Sequence, residues 1–192
     1  MISAREISSS IYGAWRLVRM DSGAMQYFDT SIEGFWRSFF AAVIVAPAQI
    51  ALAILRPEEA VQVDGLRYTI VVAIAYVVEW TAWPLVMFHI AKPLQREAAY
   101  PGYIVAYNWS QVIGAGFLLA LMLIGRLLLP SDDLGGLIFV GIMMLLAYQW
   151  IVARIALNIS AGFAAILVIV NIALTMLIGI TAQNLLAVGS SE

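Results

Sequence analysis

The chain has 192 residues, of which 63% are hydrophobic and 11% are charged, and its formal net charge is −2. This composition excludes an ordinary soluble domain, and the lack of excess positive charge argues against a nucleic-acid partner, since phosphate binding needs a basic surface. Because there is no cysteine and one histidine, we predict no disulfide, no metal site and no bound cofactor.

Residues 1–30 precede the first long apolar stretch and do not have the pattern of a cleavable signal peptide. We interpret them as a cytoplasmic amphipathic juxtamembrane segment. Apolar side chains recur there at helical spacing: Ile7, Ile11, Ala14, Trp15 and Val18. Such a stripe is typical of a helix in the membrane interface, where Arg16 and Arg19 would add attraction to anionic lipids. The stripe fits equally a helix that docks on the protein's own spans.

A helix start is predicted near Ser31. Thr30 and Glu33 have the spacing of a capping box, in which an N-cap side chain and a glutamate satisfy free backbone N–H groups. Glu33 also precedes Arg37 by four residues, which predicts an ion pair along the same helix. This helix becomes the first membrane span.

Long stretches without charge define the fold class. Residues 38–55, 134–153 and 155–190 contain no charged side chain, and each is long enough for a helix to cross a bilayer, which takes about 20 residues. They are apolar on every face, whereas strands of a membrane barrel alternate apolar and polar residues. We therefore predict an all-α, polytopic membrane helical bundle, formed as one domain by residues 31–189.

Five transmembrane helices are predicted, at residues 35–55, 68–91, 103–129, 134–157 and 161–188. Pro47 should kink the first of them. The polar loop at 56–67 must reach water. Short turns at 130–133 and 158–160 make the last three spans antiparallel neighbours.

Basic residues set the expected orientation, because cytoplasmic loops carry an excess of them. With the N-terminus inside, the cytoplasmic set is Arg5, Arg16, Arg19, Arg37, Lys92, Arg96 and Arg154, and the opposite set is Arg56, Arg67 and Arg126. We predict a cytoplasmic N-terminus and an external C-terminus. All but one of the ten basic residues are arginine and alanine is abundant, which favours a bacterial source and hence the bacterial inner membrane.

Polar residues at membrane depth are the candidate functional residues, since polar groups are expensive there. Counting about 1.5 Å per residue puts Glu79 and Asn171 near the midplane, where they could face each other. Gln111 and Gln149 also fall at matching depths. Asn108 lies one turn from Gln111, so the pattern predicts a polar seam within the bundle.

Two interpretations of Glu79 remain open. It is either a protonatable carboxylate in a solute or proton path, or a neutral hydrogen-bonding group that holds helices together. The second is favoured, because a pathway normally needs several ionisable groups. His89 is expected at the membrane interface, and the pair Trp80 and Trp83 is expected to pack against neighbouring helices rather than to bind a ligand.

The sequence contains no phosphate-binding glycine loop, nucleophile elbow or metal-binding helix motif, so enzymatic activity is not expected. The run 147–160, which begins Ala147-Tyr148-Gln149-Trp150, and the alanine pair at 164–165 resemble the Yip family, named for Ypt-interacting proteins; the run 100–111 fits loosely. The chain lacks a counterpart of the long cytoplasmic domain of eukaryotic members, so GTPase binding is not carried over. The resemblance implies a membrane organiser or adaptor without enzymatic activity.

The expected function is therefore that of an integral membrane adaptor, which contacts lipids and binds other membrane proteins, self-associates or shapes the bilayer. The alternative is a small transporter, a channel or an accessory subunit of a transport complex that uses Glu79. Internal repeats would favour a transporter, but none is found in the sequence and five spans do not divide into equal halves.

Overall fold

The computed structural model describes residues 2–55 and 65–187, without the side chains at 131 and 132. Regular structure in these residues is helical, with a 3₁₀ turn at Ser22–Tyr27 and seven α-helices: α1 Ala4–Val18, α2 Ile32–Ser38, α3 Phe40–Ile54, α4 Gly65–Ala91, α5 Tyr100–Leu128, α6 Ser131–Leu157 and α7 Ala161–Ala187. Residues 56–64, most of the predicted polar loop, lie outside the described residues, as does 188–192.

Five segments are long and apolar enough to cross a bilayer: Ile32–Ile54, Gly65–Ala91, Tyr100–Leu128, Asp133–Leu157 and Ala161–Ala187. The first combines α2 and α3. The protein is therefore an all-α polytopic membrane bundle, and the predicted fold class is confirmed. Predicted and observed boundaries differ by a few residues at most, because helices extend past the apolar core of a span into its polar ends.

The first span begins as expected, but its cap and its ion pair differ from the prediction. The Ser31 hydroxyl accepts a hydrogen bond from the Gly34 N–H at 3.0 Å, so Ser31 and not Thr30 is the N-cap. Arg37 pairs with Glu6 at 2.9 Å and with Asp29 at 2.5 Å, instead of pairing with Glu33. The tertiary partners prevail because the N-terminal segment folds back beside α2.

The first span is interrupted at Phe39, a break that the sequence did not predict. The Phe39 N–H bonds to the Trp36 carbonyl three residues back at 3.4 Å, which is a tightened 3₁₀ turn. Helix α3 then continues through Pro47 to Ile54. A proline inside a membrane helix is tolerated when neighbouring helices satisfy the carbonyls around it. The Tyr76 hydroxyl of α4 donates to the Ala42 carbonyl at 2.7 Å, one residue before the Val43 carbonyl that Pro47 leaves without its helical donor.

The spans pack in the order α3, α5, α6, α7 and α4, with a smaller contact from α4 back to α5. Short turns make α5, α6 and α7 sequential neighbours, as predicted. Arginines from other helices donate hydrogen bonds to backbone carbonyls at two helix C-termini. Arg67 donates to the Leu185 carbonyl at 2.5 Å, and Arg126 donates to the Leu55 carbonyl. A cation at this end of a helix also complements the helix dipole.

Helix α1 docks on the bundle against α5 and α6. Four of its residues are buried: Ser10, Gly13, Ala14 and Leu17. Of these, Gly13 lies against Tyr27 and Phe28 of the N-terminal segment. The Ala14 carbonyl accepts a hydrogen bond from the Tyr148 hydroxyl of α6 at 2.7 Å. Helix α1 and the turns at 92–99 and 158–160 therefore lie at one end of the bundle, which we call the N-terminal end.

The predicted apolar stripe of α1 is thus divided between two faces. Ile7 and Ile11 are half-buried and Ala14 is buried, whereas Trp15 and Val18 are exposed. The buried positions of α1 were not recognisable as apolar, because they include a serine and a glycine. The small size of Gly13 permits the close approach of Tyr27 and Phe28.

Candidate functional site: a polar cavity between the spans

All five spans contribute to a partly open cavity of about 390 Å³. Volumes of roughly 300–1,000 Å³ are typical of small-molecule sites. The polar and aromatic residues that line it come from every span: Gln49, Tyr76, Glu79, Trp80, Tyr107, Ser110, Gln111, Tyr148, Gln149, Asn171 and Thr175. The remaining lining residues are apolar or glycine, so the cavity is a polar patch within an otherwise apolar bundle.

Glu79 lines this cavity from α4. Helical spacing places Tyr76 one turn before it and Trp80 directly after it, and the two rings have centroids 6.1 Å apart in an edge-to-face arrangement. The Glu79 side chain is exposed in the isolated chain and makes no hydrogen bond or ion pair within the described residues. It is the one charged residue among the described lining residues.

A hydrogen-bonded network lies beside the carboxylate. The Asn171 amide of α7 donates to Gln149 Oε1 of α6 at 3.0 Å and to the Tyr107 hydroxyl of α5 at 3.1 Å. Asn171 is only 7% exposed, so its amide would be costly to bury without these partners. The network fixes three of the five spans relative to one another.

The cavity is closed towards the N-terminal end by aromatic packing. Trp83 and Tyr103 are almost fully buried, and the Trp83 indole N–H donates to the Tyr103 hydroxyl at 3.0 Å. The Tyr107 ring lies 6.1 Å from the ring of Trp83 and 6.1 Å from the ring of Tyr103, measured between centroids. This packing agrees with the expectation for Trp83, whereas Trp80 faces the cavity.

The structure brings together four of the five predicted polar residues. Glu79, Gln111, Gln149 and Asn171 all line the cavity. Glu79 and Asn171 share it, although the Asn171 hydrogen bonds go to Gln149 and Tyr107. Asn108 is separate, because its amide donates to the Ser38 hydroxyl at 2.8 Å on the side of α5 that faces α2. A continuous seam through Asn108 and Gln111 is therefore wrong.

Sequence reasoning missed several lining residues, above all Tyr76 and Tyr107. Their hydroxyls are the polar ends of side chains that usually count as apolar. Gln49 did carry a signal, since it is an isolated amide in an apolar span. Ser110 and Thr175 gave little signal in the sequence, because small hydroxyl residues are common in membrane helices, where they donate hydrogen bonds to the backbone of their own helix.

Outside the spans, charged groups anchor the N-terminal segment. Arg16 pairs with Asp21, and the Gly23 backbone N–H together with Arg16 lowers the pKa of the Asp21 carboxyl. Hydrogen bonds from Ser31 lower the pKa of Asp29. Arg19 is exposed at the end of α1. These ion pairs hold the segment, so Arg16 has a protein partner in addition to any lipid.

His89 is exposed, and its Nδ1 lies 2.9 Å from the Leu85 carbonyl in the same helix. No group of three His, Cys, Asp or Glu side chains in the described residues is placed to hold a metal ion. Fold and site together define the class: a polytopic helical membrane protein with a polar cavity between its spans. Comparison with protein-family models, curated proteins and solved structures gives no match.

Proposed function

We propose that this protein is a small membrane transport protein, or the solute-binding subunit of a transport complex, and that it binds a polar solute beside Glu79. One observation carries the proposal: a carboxylate without a hydrogen-bonding or ion-pairing partner among the described residues lines a cavity of about 390 Å³. An intramembrane ionisable residue is a functional candidate by default, because its burial is costly.

The alternative role of Glu79, holding helices together, is less well supported by its contacts. A structural carboxyl group would donate or accept a hydrogen bond across a helix interface, as Asn171 does. Glu79 has no such bond within the described chain. The interhelical hydrogen bonds of Tyr76 and Asn171 form without its participation, which leaves its oxygens for a solute or for water.

Flux through proteoliposomes tests the proposal. A pH-sensitive dye inside the vesicles reports the movement of protons that is coupled to transport. Vesicles that contain the purified parent protein should show a larger proton flux than empty vesicles. Glu79→Gln should fold normally but abolish pH-dependent flux, because an amide cannot release a proton. Glu97→Gln is the matched control, since Glu97 is exposed in the turn after α4. Retained flux in Glu79→Gln would remove this residue from the path.

A second pair of variants tests whether the cavity itself is the path. Thr175→Phe adds a ring to an exposed lining position of α7 and should reduce flux. Thr181→Phe makes the same change further along α7, outside the cavity lining, and should leave flux unchanged. Equal flux in both variants would contradict a path through the cavity.

An adaptor of the Yip type is the second candidate, and exposed side chains at the N-terminal end favour it. Tyr12, Trp15, Met20, Ile32 and Trp36 are each at least 50% exposed there. Such residues suit contact with lipid head groups, with another membrane protein or with a second copy of the chain. Purification in mild detergent should then recover a stoichiometric partner that Trp15→Ser with Trp36→Ser removes.

We also propose that the N-terminal end is cytoplasmic, that the C-terminus is external, and that the membrane is a bacterial inner membrane. The support is the excess of basic residues at that end. Seven of the chain's ten basic residues lie there: Arg5, Arg16, Arg19, Arg37, Lys92, Arg96 and Arg154.

A further inference from the structure

We infer that the solute bound in the cavity is an organic ammonium ion, held between the Glu79 carboxylate and aromatic rings. The inference rests on the proposed function, because it assumes that a solute enters the cavity. It goes further by naming the chemical class of that solute.

Charge selects a cation. Glu79 is the one charged side chain among the described lining residues, and none of these is Lys, Arg or His. In the low-dielectric interior of a membrane protein, an unpaired carboxylate strongly disfavours an anion and attracts a positive charge. The ion pair that the chain does not supply internally is available to a ligand.

Aromatic rings select an organic cation over a metal ion. Tyr76 and Trp80 flank Glu79 on the same helix, with ring centroids 6.1 Å apart. Tyr107 of α5 also lines the cavity. The faces of such rings attract ammonium groups, and quaternary ammonium ligands are typically recognised by a cluster of them.

The remaining lining groups do not form a site for a hard metal ion. Calcium takes six to eight oxygen ligands, and magnesium needs near-ideal octahedral geometry. The described lining supplies one carboxylate, and Gln149 Oε1 already accepts the hydrogen bond from Asn171.

Calorimetric titration of the full chain in lipid nanodiscs tests the inference. Choline and 3,3-dimethylbutan-1-ol form a matched pair of probes, because the second replaces the charged nitrogen with carbon and keeps the shape. We expect choline to bind at least ten times more tightly than the alcohol. In Glu79→Gln this preference should disappear, whereas Glu97→Gln should retain it. Equal affinities in the parent protein, or no choline binding, would overturn the inference.

A second variant separates recognition by the ring from a general loss of structure. Trp80→Leu should weaken choline about fivefold and leave the alcohol unchanged, since the attraction of the ring is for the charge. Trp36→Leu, at the exposed N-terminal end, should change neither. If Trp80→Leu does not purify as a monodisperse protein, Trp80→Phe keeps a ring and should retain most of the choline preference. An unchanged choline affinity in Trp80→Leu counts against the aromatic site.

The two proposals fail in different ways. If vesicles show flux that depends on Glu79 but choline does not bind, the ammonium inference is wrong and the transport proposal stands. If the parent protein gives neither flux nor binding, both are wrong.

Discussion

Asn171 of α7 donates an amide hydrogen bond to Gln149 of α6 over 3.0 Å, next to the cavity. Replacing both by leucine should reveal their coupling in a double-mutant cycle. We expect a coupling of roughly 1 kcal/mol, because interhelical hydrogen bonds in membranes are weak and the unfolded helices find other partners. Unfolding in mixed micelles measures the free energies of the single and double variants. Strictly additive effects would mean that the two residues do not act as a pair.

Counting residues along the spans matched Asn171 in depth with Glu79 and Gln149 with Gln111, and it did not predict the hydrogen bond between Asn171 and Gln149. Rise per residue gives depth directly once a span is recognised. The rotation of a helix about its axis can be predicted only when the helix has a polar face. Helix α7 is apolar on nearly all sides, so nothing in its sequence says where Asn171 points. The Asn108 prediction failed for a related reason. Side chains three residues apart on a helix point in directions that differ by about 60°. On α5 this difference lets Asn108 face α2 while Gln111 faces the cavity.

Close packing at Gly34 yields a second prediction. A Cβ atom at this position would overlap the Asp29 carbonyl oxygen and lie 2.7 Å from Asp29 Cγ. Gly34→Ala should therefore displace Asp29 from Arg37 and cost roughly 1–3 kcal/mol, as overpacking usually does. Hydrogen exchange of α1 should become faster.

Gly162 provides the control for this substitution. It lies in the first turn of α7 with open space around its Cα. Gly162→Ala should leave exchange of α1 unchanged, and the helix itself should gain up to about 1 kcal/mol from the better helix former. Equal effects of the two alanines on α1 would contradict the packing explanation.

The lowered pKa values of Asp21 and Asp29 predict how stability depends on pH. A carboxyl group whose pKa is lowered by folding stabilises the folded state above its ordinary pKa, which is 3.8 here, and loses that contribution as pH falls through the folded-state value. These two groups should therefore make a constant contribution to the free energy of unfolding from pH 7 to pH 5, and a decreasing contribution below pH 3.8.

Thermal unfolding followed by circular dichroism checks this dependence. Asp29→Asn should lower the midpoint at pH 7 and reduce the further loss below pH 3.8. Glu97→Gln should leave the profile unchanged. If Asp29→Asn lowers the midpoint equally at pH 7 and pH 3, the carboxylate is not the group that titrates.

Membrane orientation is the fourth prediction. Arg96 in the turn after α4 donates to the Asn158 carbonyl at the end of α6, over 3.1 Å, so both turns lie at the N-terminal end. Reporter fusions at the N-terminus and after Gln95 should be cytoplasmic, and a fusion after Glu192 should be external. If the first and last reporters appear on the same side, the number of spans is even and the five-span topology is wrong.

The N-terminal segment shows where composition misleads. The amphipathic stripe correctly predicted a helix, but the buried positions include Ser10 and Gly13, which score as polar or neutral. Exposed Trp15 belongs to another face, which faces away from the bundle. Small residues at a helix interface are recognisable only when the partner helix is known, since their contribution is the close approach that they permit.

Cysteine accessibility tests the central claim, that a polar solute enters the cavity beside Glu79, most directly. The chain has no cysteine, so Thr175→Cys supplies a single thiol in the cavity lining. Hydrophilic methanethiosulfonates carrying a trimethylammonium or a sulfonate group are applied to the protein in nanodiscs. We predict that the cationic reagent reacts faster than the anionic one, once each rate is divided by that reagent's rate with a free thiol. Glu79→Gln should remove this preference, and Thr181→Cys should stay protected by lipid. A Thr175→Cys thiol that reacts with neither reagent until the protein is denatured would contradict the account.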